Sequence, residues 1–210
     1  MSYEAARKDY VKQKLEEADC LDSPIAMLDA WLQKAHLGIE DANAMTLTTV
    51  NQEGYPESRI VLLRKIDERG LVFYTNYESA KGKDISRNPK VGVNFFWPWM
   101  ERQVRVRGTA VRISEKESAA YFASRPRESQ LGAWASLQSE ELSTRDHLEQ
   151  RLREITEKYE GQDVPRPPHW GGFLIKPSYF EFWQGRSSRL HDRIRYQRAE
   201  GTWKMSRLFP

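Results

Sequence analysis

From Met45 onward the hydrophobic period of this chain changes to two, and that alternation is its strongest constraint. TLTTV, ESRIVLLR and LVFYTN are short runs of this kind, separated by Asn51 to Gly54 and by DERG, which are hairpin-sized turns. Runs so closely spaced pair with their neighbours, so the spacing predicts an antiparallel meander. KVGVNFFW and, after a turn at Pro98, ERQVRVRGTAVRI continue the pattern, with Val104, Val106 and Ala110 alternating with charged residues. FLIKPSYFEFWQG, RLHDRIRYQRA and TWKMSRLF read as closing strands, the last two joined by a turn at Glu200 and Gly201.

Helices are expected around this sheet. Residues 1–20 form a charged, helix-favouring N-terminal segment. Ser23 and Pro24 start a helix whose apolar stripe is Met27, Leu28, Trp31, Leu32 and Ala35, ending before Gly38. A short helix covers Ser79 to Arg87, and Ser114 with Glu117 forms a capping box for a helix ending near Ser124. Leu148, Leu152, Ile155 and Tyr159 mark another between Thr144 and Gly161. Without βαβ alternation, the class is mainly β with flanking helices, a small antiparallel barrel forming a single domain over 1–210.

Composition narrows the setting. The lone Cys20 cannot form an intrachain disulfide, the N-terminus lacks the apolar core of a signal peptide, and no stretch is apolar enough to span a bilayer. A cytoplasmic protein without membrane partners is expected. A net charge of +3 implies no nucleic-acid stripe.

No dinucleotide fingerprint, P-loop, zinc-binding helix or nucleophile elbow is present. His36, His147, His169 and His191 are scattered, so no metal site is expected. Arginines accompany hydroxyl and amide side chains in three places: Arg59 to Lys65, Ser124 to Gln130, and Arg186 to Arg198. Such groups suit phosphate, which arginine meets bidentately, although arginine on a strand is more often a solvated face.

Strand alternation over WQGRSSRLHDRIRYQR places Arg189, His191 and Arg193 on one face, with Leu190, Asp192 and Ile194 on the other. Like charges so placed favour an anion between them. Trp183 suits either the core or the face of a planar ring, and SRPRESQ suits either a helix junction capped by Ser129 or an anion site.

RIVLLR, FYTN followed by SAK, ERQV, YFASRPRESQLGAW, LQS, HWGGF, FWQG, RLHDR and the terminal RLFP occur in an order that resembles the pyridoxine/pyridoxamine 5′-phosphate oxidase family over nearly the whole chain. The resemblance implies an FMN-binding split barrel and a homodimer with flavin sites at the subunit interface. It also implies oxidation of pyridoxamine or pyridoxine 5′-phosphate to pyridoxal 5′-phosphate by O2.

Carried over by position, the resemblance assigns FMN contacts to Arg59, Ile60, Val61, Leu62, Leu63, Arg64, Tyr74, Thr75, Ala80, Lys81, Gln103, Gln138, Ser139, Trp183 and Arg193. Substrate contacts fall to Arg64, Tyr121, Arg125, Ser129, Arg189, Leu190 and His191, with Arg7, Lys8, Asp9 and Tyr10 from the N-terminal segment. Arg189 and His191 are the catalytic pair, orienting the substrate as its C4′ hydrogen leaves.

Two positions depart from the family pattern. Arg64 stands where a lysine is usual, with Lys65 on the opposite strand face, and Ala80 stands where arginine is common. They keep open a split-barrel flavoprotein with another substrate. A nucleic-acid-binding barrel and a non-catalytic pyridoxal phosphate carrier are the alternatives from other classes.

Overall fold

The structure is a computed structural model and describes residues 9–210. Nine strands form one antiparallel sheet: β1 (Ala44–Val50), β2 (Pro56–Leu62), β3 (Lys65–Asp67), β4 (Gly70–Asn76), β5 (Lys90–Trp97), β6 (Arg102–Arg112), β7 (Trp170–Gln184), β8 (Asp192–Ala199) and β9 (Thr202–Arg207). The main path runs β2-β1-β5-β6-β7-β4-β3, while β8 and β9 extend from β7.

The expected meander is therefore only half right. β1–β2 and β3–β4 are hairpins, but they fall at opposite ends of the path because β1 pairs with β5 and β4 with β7. Only Leu63 and Arg64 separate β2 from β3, so the two ends must come together. Leu63 N–H donates to the Asn43 carbonyl at 2.9 Å and Arg64 N–H to the Val72 carbonyl at 2.8 Å. The sheet thus curls into an antiparallel split barrel, open where β2 approaches β4.

The inward positions pack as alternation predicts: Leu47, Phe73, Phe95, Val104, Ile175, Phe180, Phe182 and Ile194 are all fully buried. Helix α1 (Pro24–His36) covers this core with Met27, Leu28, Trp31, Leu32 and Ala35. Its Ser23 hydroxyl accepts from Ala26 N–H at 3.3 Å and Pro24 takes the first helical position, as the sequence indicates. α2 (Ala80–Arg87), α3 (Glu115–Ala123), α4 (Arg127–Ala135) and α5 (Arg145–Lys158) complete the shell. Phe122, Leu131, Tyr159, Val164 and Trp170 form a second apolar cluster beneath α3, α4 and α5.

Three local expectations need correction. Of the N-terminal helix expected within 1–20, residues 9–20 show only a 3-10 turn at Glu17–Asp19, and residues 1–8 lie outside the described residues. Lys12 N–H donates to the Glu101 carboxylate and Leu15 N–H to the Asp192 carboxylate, both at 3.0 Å, and buried Leu15 anchors the segment. Those tertiary acceptors replace the helical ones.

The strand read over RLHDRIRYQRA begins only at Asp192. Ser187–Arg189 is a 3-10 turn, and Ser188 (φ 55°) and Arg189 (φ 61°) lie in the left-handed region, which breaks the pleat. The alternation that aligned Arg189 and His191 with Arg193 therefore does not apply. Ser129 is likewise no cap: α4 starts after Pro126 and holds Ser129 in its first turn.

In the β3–β4 hairpin, Asp67 accepts from Arg69 Nε and Nη2 and from Lys65 Nζ. These contacts, those of Arg69 foremost, pull its carboxyl down to about 2. A depressed folded value gives stabilisation that is complete above the ordinary carboxylate range and is lost as pH falls through 2. Asp67→Asn should lower the urea midpoint at pH 7, and its deficit should shrink as the pH is brought from 5 towards 2.

Candidate active site

The split in the barrel opens into a cleft of about 660 Å³, within the usual range for small-molecule sites. One wall is β2, with Arg59, Ile60, Val61 and Leu62, followed by Arg64. Tyr74, Thr75 and Asn76 come from β4, Lys81 from α2, Tyr121 from α3, Arg125 from the α3–α4 link, and Ser129, Gly132 and Ala133 from α4. Ser136, Gln138 and Trp170 complete it.

Aromatic stacking builds the interior. Tyr74 and Tyr121 lie 3.8 Å apart at 16°, and Tyr74 and Trp170 5.5 Å apart at 11°. The Arg125 guanidinium sits 4.6 Å over Trp170, and its buried Nη1 has no hydrogen-bond partner. Burial pushes the Arg125 pKa down and Arg64 adds to that effect, although Tyr121 opposes it. Burial, and to a lesser extent Tyr121, raises the Tyr74 phenol.

A second cationic pair, Arg59 on β2 and Lys81 on α2, lies in the same cleft. Burial lowers the Lys81 ammonium, and neighbouring Arg59 lowers it further. Lys81 Nζ donates to Gln138 Oε1 at 2.9 Å, and Thr75 Oγ1 donates to the same oxygen at 3.2 Å. Arg59 and Arg64 are five residues apart, roughly 16 Å of extended chain at ~3.3 Å per residue. Each pair, Arg59 with Lys81 and Arg64 with Arg125, is eased by a bound anion.

Most residues expected at an FMN or phosphate site converge here: Arg59 to Leu62, Arg64, Tyr74, Thr75, Lys81, Tyr121, Arg125, Ser129 and Gln138. Leu63 does not, because its side chain belongs to the barrel core. Ala80, the first residue of α2, is exposed outside the cleft, and Ser139 (φ 74°) lines a smaller adjoining cavity with Gln138. Lys65 turns away onto Asp67 at 2.9 Å, which leaves Arg64 facing the cleft. Sequence reasoning passed over Asn76, Ser136 and Trp170 as lining residues; FYTN and HWGGF contain two of them.

The remaining expected residues form a separate group on the outer face of β6, β7 and β8. Gln103, Trp183 and Arg193 stand side by side in register. The Trp183 and His191 rings are 4.7 Å apart, and Tyr10 meets both edge-on at 5.6 Å and 5.9 Å. His191 Nδ1 accepts from Arg186 N–H at 3.1 Å, and Asp9 accepts from Ser188 N–H at 3.3 Å. Burial, then Arg189, lowers the His191 pKa, with Asp192 opposing.

Arg193 is gripped by the Glu181 carboxylate at 2.9 Å and the Phe209 carbonyl at 2.7 Å. Leu190 is exposed, while Arg7 and Lys8 lie outside the described residues. None of this outer group lines the cleft.

A curled antiparallel sheet with an aromatic, cationic cleft at its opening defines a split-barrel protein of the flavin-binding kind. Residues 32–159 match the family model described as pyridoxamine 5′-phosphate oxidase, and residues 170–210 match the pyridoxine 5′-phosphate oxidase C-terminal dimerisation region. Pyridoxine/pyridoxamine 5′-phosphate oxidase of Microcystis aeruginosa is 52% identical over 97% of this chain and 96% of its own length. The Christiangramia forsetii protein of the same name is 48% identical over the same shares.

PhzG from Burkholderia lata, solved with tetrahydrophenazine-1-carboxylic acid, superposes with a TM-score of 0.89 at 30% identity, covering 97% of this chain and 100% of its own. A pyridoxamine 5′-phosphate oxidase-related, FMN binding protein from Nostoc punctiforme shares the fold, with a TM-score of 0.73 at 19% identity over 90% of this chain and 98% of its own. The chain belongs to the pyridoxine/pyridoxamine 5′-phosphate oxidase family. The dimerisation region of that family coincides with β7, β8 and β9. No helix among the described residues is long and apolar enough to cross a membrane.

The partnerless Arg125 Nη1, with Arg64 near it, predicts that inorganic phosphate raises the melting temperature of the flavin-free protein. Arg125→Ala should reduce that rise in a thermal-shift titration.

Proposed function

We propose that this chain is an FMN-dependent oxidase that converts pyridoxamine 5′-phosphate and pyridoxine 5′-phosphate to pyridoxal 5′-phosphate, passing electrons to O2, as a cytoplasmic homodimer. The observation that carries this is one aromatic cleft with two cationic pairs, which suits two phosphorylated, ring-bearing molecules held together.

The donor set fits FMN. Arg59 and Lys81 suit its phosphate, with Thr75 and Gln138 offering polar contacts close by. The β2 segment Ile60 to Leu62 provides an apolar strand wall for the ring system. The partnerless Arg125 Nη1, with Arg64, Tyr121 and Ser129, suits the substrate phosphate. Bound FMN supplies the hydride acceptor and the route to oxygen. The protein's own task is placement and electrostatics, so the lack of an acid–base dyad in the cleft is consistent with the activity.

Gln103, Trp183, Arg193, Arg189 and His191 would act on the cleft of a second copy. β7 carries Trp170 at its start and Trp183 near its end, and its 15 residues extend roughly 50 Å if straight at ~3.3 Å each. A partner docked through the dimerisation region would bring the outer group to the neighbouring cleft. There Arg189 and His191 would orient the pyridine ring and stabilise charge as the C4′ hydrogen leaves. Burial and Arg189 favour neutral His191; with Nδ1 accepting from Arg186 N–H, its Nε2–H is left to donate.

The likeness to PhzG, with Arg64 in a lysine's usual place, favours a second reading: a split-barrel flavoprotein with a different substrate. Substrate specificity separates the two. Purified protein should be yellow and should bleach on anaerobic addition of pyridoxamine 5′-phosphate; an unbleached flavin spectrum would point to the second reading. Arg189→Ala should lower turnover at least tenfold while the flavin stays bound. Arg125→Ala should mainly raise the Michaelis constant for the phosphorylated substrate, by roughly tenfold for one lost charge-assisted contact.

A further inference from the structure

We propose that Thr49 and Asp84 are positioning residues for Arg59, and that this buried relay sets how strongly the cleft prefers a phosphorylated flavin over an unphosphorylated one. The inference rests on the reading above that Arg59 and Lys81 hold the FMN phosphate.

Neither residue lines the cleft. Thr49 on β1 has no exposed surface, and Asp84 on α2 is 5% exposed. A carboxylate at that depth needs a donor, and Thr49 Oγ1 supplies one at 2.8 Å from Asp84 Oδ2. A hydroxyl has a single proton, so Thr49 must accept from its other neighbour, Arg59 Nη1, at 2.6 Å. The direction of the relay is therefore fixed: guanidinium to hydroxyl to carboxylate.

Strand register imposes this arrangement. Thr49 pairs with Glu57 and Leu47 with Arg59, which places Thr49, Glu57 and Arg59 on one face of the β1–β2 hairpin. Glu57 then takes two further donors, Nη1 on its carbonyl at 2.9 Å and Nη2 on its carboxylate at 3.2 Å. Of five guanidinium N–H groups, two remain, enough for a bidentate contact with a phosphate.

The other end of the relay is equally fixed. A Cβ at Gly82 would stand 2.2 Å from the Tyr77 carbonyl, and Ile85 is 2% exposed, so α2 is seated closely on the sheet and Asp84 cannot drift. Asp84 also places an acidic side chain behind Arg59, on the far side of Thr49. With alanine at position 80, the placement of Arg59 counts for more.

The test is a fluorescence titration of the flavin-free protein with FMN and, separately, with riboflavin. Thr49→Val keeps the side-chain shape and deletes both contacts; it should weaken FMN about tenfold and leave riboflavin within about twofold. Asp84→Asn keeps an acceptor for the hydroxyl and removes the charge, so a smaller loss, about threefold, should again fall on FMN alone. Thr49→Ser should restore the parental ratio.

Arg59→Ala tests the underlying reading, because it must lower the FMN-to-riboflavin preference by itself. If it does not, Arg59 is not a phosphate contact and the relay falls with it. If it does while Thr49→Val and Asp84→Asn leave the ratio intact, the relay alone is overturned. Equal weakening of both flavins would mean a purely structural role and would also overturn it. Should Thr49→Val fail to fold, Asp84→Asn and Thr49→Ser decide by the same ratio.

Discussion

The antiparallel ladders of β7 are the interaction on which the rest of this molecule depends, because that 15-residue strand pairs with β6 along its length, with β4 at its start and with β8 at its end. Its first residues bring Trp170 against Tyr74 and Arg125, and its last place Trp183 between Gln103 and Arg193. The strand that closes the barrel thus also separates the two groups of functional residues. A slip of one residue would turn Phe180 and Phe182 out of the core and Glu181 into it.

Electrostatics in the cleft follow from the same frame. Arginines on the outer face of β6 and β8 find acidic partners, Arg105 and Arg193 sharing Glu181. In the cleft Arg59 meets Glu57, but Lys81 and Arg125 face other cations, and burial weakens their hold on protons. A fold tolerates this where an anion completes the set or where an acidic group lies behind a cation, as Asp84 lies behind Arg59 through Thr49.

Much of the fold was legible because it depends on local rules. Ser23, Ser79, Ser114 and Thr144 each cap the helix that their neighbours announce, and β1, β2, β4, β5, β6 and β7 each overlap a run of period two, whereas the short β3 falls between ESRIVLLR and the DERG turn. Strand order was not legible. DERG and the Asn51 turn look alike in sequence, yet they close hairpins at opposite ends of the sheet, because β5 takes the second edge of β1 and β7 the second edge of β4. The strand reading failed at Ser188 and Arg189, where Ser188 N–H bonded to Asp9 and Arg186 N–H bonded to His191 hold a left-handed turn that alternation cannot signal. The helix reading failed over residues 9–20 because the acceptors for Lys12 and Leu15 lie at positions 101 and 192.

By itself the sequence determined the elements, the inward faces and the residue types able to hold phosphate, all of which are set by chemistry within a few positions. The likeness of its motifs to a known family added roles for individual side chains. Only tertiary structure decided that Arg59, Lys81, Arg64 and Arg125 share one cleft while Trp183, His191 and Arg193 stand outside it. Leu63, inside the expected flavin run, was likewise assigned to the core by the join between β2 and β3. The physical reason is that proximity across a curled sheet depends on which strands pair and where the sheet opens, and alternation within a strand carries no information about either.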